Sequence, residues 1–196
     1  MLTSITPLGE RGRRRRWSLT TAWYLLGSTA GGAALGALAG VFAFAAGKVS
    51  SGPRVLVLIA ALACAAAALT DARGLRLPSW RRQVDEDWLQ RYRGWVVGGG
   101  FGLQLGFGLV TIVSSASVYA ALALAVLTGS FWGAVAIGTA FGLVRALPLL
   151  AVRGVRTGEA LAVLHRRVNA IAPRARTATV AVLAAGALAL AAAGAA

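Results

Sequence analysis

The sequence is short of charge where a soluble protein needs it. Charged residues fill 13% of its 196 positions, against ~25% in an ordinary soluble domain. Acids are scarcer still, with six Asp and Glu against 20 Lys and Arg. Lysine occurs once, at Lys48, so arginine carries the positive charge. Cysteine also occurs once, at Cys64, inside an apolar run. One thiol cannot make an intrachain disulfide, a CxxC pair or a zinc site, and its ordinary role is that of a small buried side chain. The single histidine, His165, has no Cys, Asp or second His beside it and reads as a solvated surface residue. There is no Walker loop, no HExxH and no usable Ser–His–Asp set. Gly98 to Gly102 is glycine-rich but misses the GxGxxG spacing and follows no strand. These absences exclude the common enzyme constellations and leave no metal or cofactor to expect.

What the chain has is apolar length. Hydrophobic residues make up 58% of it, in runs long enough for a bilayer, which takes ~20 apolar residues. Five spans are expected: Leu19–Gly47, Val55–Thr70, Trp95–Leu127, Phe131–Val152 and Thr177–Ala196. The uncharged stretch from Gly94 to Val144 is too long for one helix, and Thr128-Gly129-Ser130 is the natural break. The arginines sit between spans. Five lie in Arg11–Arg16, six from Arg73 to Arg93 and six from Arg153 to Arg176. With five crossings and the N-terminus inside, segments 1–18, 71–93 and 153–176 are cytoplasmic and hold 17 of the 20 basic residues. That is the positive-inside pattern and predicts N-in, C-out in a bacterial inner membrane. A net charge of +14 then points to anionic lipid at the arginine clusters rather than to nucleic acid. A cleaved signal peptide is the rival reading of the N-terminus, with Ala43-Phe44-Ala45 as its cleavage site, but the apolar run far exceeds a usual h-region of ~7–15 residues.

Two cytoplasmic stretches are amphipathic. In residues 79–93, Trp80, Val84, Trp88 and Tyr92 share one helix face. In Gly158–Ile171, Leu161, Leu164, Val168 and Ile171 form a stripe, with Arg166 and Arg167 opposite. Both suit helices lying on the membrane surface or docking a partner. The expected fold is therefore all-α, with five membrane helices and two interfacial ones on the inside face.

Glycine gives the packing signal. Gly32, Gly36 and Gly40 repeat every four residues in the first span, as do Gly98, Gly102 and Gly106 in the third. Small residues at that spacing let membrane helices approach closely. On an unbroken third helix, Gln104, Thr111 and Ser115 fall on a second, polar face. Arg145 is the charge well inside a span, at a depth similar to Gln104, and Pro148 kinks its helix one turn on. Asp71, at the inside end of the second span, is a plausible counter-ion for it. Together Gln104, Thr111, Ser115, Arg145 and Asp71 outline a polar cavity for a small anionic solute. The alternative is that Arg145 snorkels to the headgroups and the stripe packs helices.

The stretch from Gly98 to Leu150 has a glycine-rich helix start, a polar interruption, a short turn and then Phe141-Gly142-Leu143-x-Arg145-x-Leu147-Pro148-Leu149. In this it resembles the transmembrane domain of the cytochrome c biogenesis (CcdA-like) and DsbD thiol-relay family, related to LysE-type exporters. The resemblance implies paired three-helix repeats and a relay through two intramembrane cysteines. This chain has Thr111-Ile112-Val113-Ser114-Ser115 where that family places Pro-Cys, so the scaffold is implied and the chemistry is not. The leading expectation is a non-enzymatic, transporter-like membrane protein for a polar or anionic solute. The second is a membrane subunit that binds a partner or a second copy through its glycine faces and inside helices; a degenerate thiol-relay protein comes third.

Overall fold

A computed structural model describes residues 5–46, 52–75, 77, 91–108 and 115–195. These residues are helical, with no strand among them. The helices are α1 (Pro7–Gly12), α2 (Trp17–Ala46), α3 (Pro53–Arg73), α4 (Gly94–Phe107), α5 (Ser117–Leu127), α6 (Phe131–Ala146) and α7 (Gly158–Ala195). A 3-10 segment, Leu147–Gly154, continues from α6. Among the described residues four helical stretches are long and apolar enough to cross a membrane: Trp17–Phe44, Pro53–Arg73, Phe131–Gly154 and Gly158–Ala195.

The ends of these helices follow from local chemistry. Pro53 opens α3, where its missing N–H removes nothing. Ser130 caps α6, its Oγ accepting from the Gly133 N–H at 3.3 Å. The turn before it passes through Gly129, at φ 62°. Pro148 stands at the start of the 3-10 segment, where it ends regular α-helical bonding.

Two expectations are corrected. The third span, Trp95–Leu127, is not one helix. Gly108 takes φ 69° and ends α4 after Phe107, a conformation that a side-chain-bearing residue adopts only with strain. The helix resumes at Ser117. Second, the amphipathic stretch Gly158–Ile171 and the fifth span are not separate. They form the single 38-residue α7, with Pro173 inside it. Its length of about 57 Å at 1.5 Å per residue exceeds a hydrocarbon core of ~30 Å. Within the basic N-terminal segment, Pro7–Gly12 form α1. Thr6 caps α1 by accepting from the Gly9 N–H at 3.1 Å, and Pro7 takes the first helical position. Residues 79–90 of the other amphipathic stretch lie outside the described residues.

The helix α2 is the centre of the packing, with α4 along one side and α6 along another. The α4 contacts run from Thr20 to Gly31 of α2, and those of α6 from Ser28 to Gly40. At one end Ile5, Tyr24, Val97, Phe101, Leu149 and Val152 make a buried cluster. Ala160, Leu161 and Leu164 of α7 pack against it, while Val168 and Ile171 of the same stripe are exposed. Farther along, α7 runs beside α3, until Gly194 meets Val57 and Leu58. The short α5 lies between the two groups, touching α2, α3 and α6.

Candidate functional site

Of the residues expected to line one cavity, the fold joins Asp71 and Ser115. Gln104 is half-buried on α4, and Ser115 lies beyond the break that follows Gly108. Thr111 lies outside the described residues. With the helix interrupted, Gln104 and Ser115 no longer share a face. Arg145 is half-buried on α6, its guanidinium carbon 5.6 Å from the centre of the Phe141 ring. Its helix packs on α2, α4 and α5, whereas Asp71 stands on α3, which packs on α5 and α7.

Asp71 has other partners than Arg145. It is 8% exposed, and its carboxylate meets the start of α5. Oδ1 accepts from the Ala116 N–H at 2.7 Å and Oδ2 from the Ser115 hydroxyl at 2.6 Å. The Ser117 N–H donates to Ser115 Oγ at 3.1 Å, and the two serine oxygens are 2.8 Å apart. A carboxylate from one helix thus caps the N-terminus of another, where exposed N–H groups and the helix dipole favour negative charge. The opposite end of the dipole is served at the same place. Arg176 of α7 donates through Nε to the Asp71 carbonyl at 2.9 Å, and through Nη2 to the Asp71 and Ala72 carbonyls. These are carbonyls at the C-terminus of α3, where the Asp71 carbonyl also accepts from the Gly74 N–H at 3.2 Å. Three helices are tied by one residue, with the anion on a helix start and the cation on a helix end. The junction lies part-way along α7, about 18 Å from Leu164 at the helical rise.

The glycine series occupy different ground. A Cβ added at Gly98, Gly102 or Gly106 would fall on the carbonyl oxygens of Thr20, Tyr24 or Ser28 in α2. At Gly32 it would strike Gly138 and Gly142, at Gly36 Ala134 and Val135, and at Gly40 Phe131. Both series therefore face contacts within the chain, which leaves them closed to a partner. Between α2, α5 and α6 there is a crevice, and it is apolar, lined by Leu35, Ala39, Val118, Leu122, Ile137 and Phe141.

Two features escaped the sequence reading. Glu10 is fully buried, bonded to the Thr20 hydroxyl at 2.7 Å and paired with Arg13 at 3.3 Å. The signal for its helix was present in Thr6-Pro7, a cap residue followed by proline. The Asp71–Ser115 bond joins residues far apart in the chain, and no local pattern announces it.

No family model matches the chain, and no solved structure does. It is similar to proteins named methylamine utilization protein MauF. With that of Paracoccus versutus it shares 37% identity over 155 residues, 75% of this chain and 56% of the relative. With that of Paracoccus denitrificans the identity is 34% over 152 residues, 75% and 55% of the two chains. With that of Methylorubrum extorquens it is 33% over 126 residues, 64% and 43%. The chain spans about half the length of these relatives. Their names overturn the expectation of a solute transporter. Of the five residues assigned to its polar cavity, Asp71 and Ser115 are bonded to each other, and Thr111 lies outside the described residues.

Proposed function

We propose that the chain is a non-catalytic membrane accessory protein of methylamine utilization, acting by holding a partner protein in a bacterial inner membrane. The observation that carries this reading is the 37% identity with MauF of Paracoccus versutus over most of the chain. Two structural features support an accessory role. The crevice between α2, α5 and α6 has an apolar lining, and the polar groups at Asp71 are bonded to one another. The glycine faces serve the chain's own bundle. A membrane partner would therefore meet the outer face of α7, where Val182 and Leu188 are 71% and 73% exposed.

In this reading the chain crosses the membrane five times. The crossings are α2, α3, the pair α4 and α5 as one interrupted crossing, α6 with its 3-10 extension, and the second half of α7. The N-terminus is cytoplasmic, and the first half of α7 is an amphipathic segment on that side. An interrupted crossing needs its freed backbone groups satisfied inside the protein, and Asp71 does so for Ala116.

The test is a clean deletion in a methylamine-using host, complemented by this chain. Growth with methylamine as sole nitrogen source should fail in the deletion strain, while growth on ammonium and uptake of labelled methylamine continue. Normal growth on methylamine would overturn the assignment. Loss of uptake would overturn the accessory role.

A further inference from the structure

The fold brings arginines from three separate parts of the sequence to one end of the bundle. The Leu8 N–H donates to the Val155 carbonyl at 3.2 Å, tying α1 to the end of the 3-10 segment. The Trp17 indole N–H donates to the Ile5 carbonyl at 3.2 Å, folding α1 back on α2. Arg15 donates to the Tyr92 carbonyl, tying the same turn to the start of α4. As a result Arg11, Arg14, Arg16, Arg93, Arg153 and Arg156, all exposed, share this end. The acid of α1, Glu10, is buried and already paired. Glu159 is the exposed acid here among the described residues.

The geometry points to a binding face for anionic phospholipid headgroups, assembled by α1 as a strap. A further observation favours lipid over a water-borne acidic protein. The rings of Trp23 and Trp95 lie 5.9 Å apart, tilted at 51°, at this end, and are 41% and 48% exposed. Amphipathic aromatics of this kind mark the level of the headgroups. Arg14 holds φ 54°, a left-handed turn position that glycine fills without steric penalty. Arg14 carries its charge on an exposed turn between α1 and α2. The strap thus converts three basic segments, each a weak electrostatic contact, into one multivalent surface for phosphate diesters at the membrane plane.

The test is thermal unfolding of the full chain in a mild detergent with added lipid. Phosphatidylglycerol should raise the midpoint, while phosphatidylcholine and inorganic phosphate should not. Apparent affinity should fall about fivefold for each arginine removed, in Arg11→Gln/Arg16→Gln and in Arg153→Gln/Arg156→Gln. Arg54→Gln, at the start of α3 and away from this end, should bind as the parent does. Arg14→Gly keeps the proposal testable if the others fold poorly, since it relaxes the turn yet should still weaken the lipid response. An equal response to phosphatidylcholine, reproduction by inorganic phosphate, or a full response in Arg153→Gln/Arg156→Gln would each overturn it. So would a midpoint raised by an acidic polypeptide but not by phosphatidylglycerol.

Discussion

The two halves of this bundle are held by opposite means. On one side α2, α4 and α6 touch backbone to backbone through glycine, with no room for a methyl group at Gly32, Gly102 or Gly106. On the other, α3, α5 and α7 meet through Ala67, Ala116, Ala120 and Leu183 and are joined by the charged groups of Asp71 and Arg176. The first arrangement is steric and tolerates no added volume. The second is electrostatic and depends on what each group can donate or accept. In lipid neither side gains from burying apolar surface, so packing and satisfied polar groups must supply the specificity.

The largest effect should come from adding one carbon to the steric side. Gly106→Ala would place a methyl on the Ser28 carbonyl, and α2 can yield only by moving its backbone. A loss of about 3 kcal/mol or more is expected, read as a lowered unfolding midpoint in detergent. Gly99→Ala is the matched control on the same helix. A Cβ there has nothing within 4 Å and should shift stability by less than about 0.5 kcal/mol. Equal losses in the two variants would mean that glycine serves flexibility here, and not close approach.

The middle effect tests the electrostatic side. Asp71→Ala strands the buried Ala116 N–H, at about 2 kcal/mol, while the Ser115 hydroxyl can turn to Ser117 Oγ. Asp71→Asn should recover roughly half of that, because its oxygen still accepts from Ala116 and its NH2 can donate to Ser115 Oγ. Hydrogen exchange at the Ala116 amide should quicken in the Ala variant and less so in the Asn variant. Unchanged exchange in both would detach Asp71 from the start of α5.

How much of this was legible follows the same division. Apolar runs and glycine spacing are local, so the helical class and the stretches long enough for a membrane could be read directly. The break after Phe107 could not, because the residues around it are as apolar as any helix and Gly108 is one glycine among 25. Reading through that break put Gln104 and Ser115 on one helix face, and the interruption at Gly108 separates them. The separation of Gly158–Ile171 from the fifth span failed in the other direction, because α7 continues through Pro173. Asp71 was singled out as a counter-ion, whereas its carboxylate is bonded at the start of α5. Opposite charge suggested Arg145, and the carboxylate instead met a helix terminus that only the three-dimensional break creates.

The smallest effect separates the two modes on the steric side itself. Ser28 is fully buried, and its hydroxyl donates to the Gly142 carbonyl at 2.6 Å. If close packing holds α2 to α6, that bond is an accessory to contacts already made by Gly32, Gly138 and Gly142. Ser28→Ala should then cost only about 0.6 kcal/mol, the usual worth of such a bond between membrane helices. The Gly142 carbonyl keeps a helical donor of its own, so its removal strands no group. Asp71→Ala differs because Ala116, at a helix start, has no intrahelical acceptor to fall back on. A Ser28→Ala loss as large as that of Asp71→Ala would show that polar bonds govern both halves, and the glycines would become the means of bringing Ser28 within reach of α6.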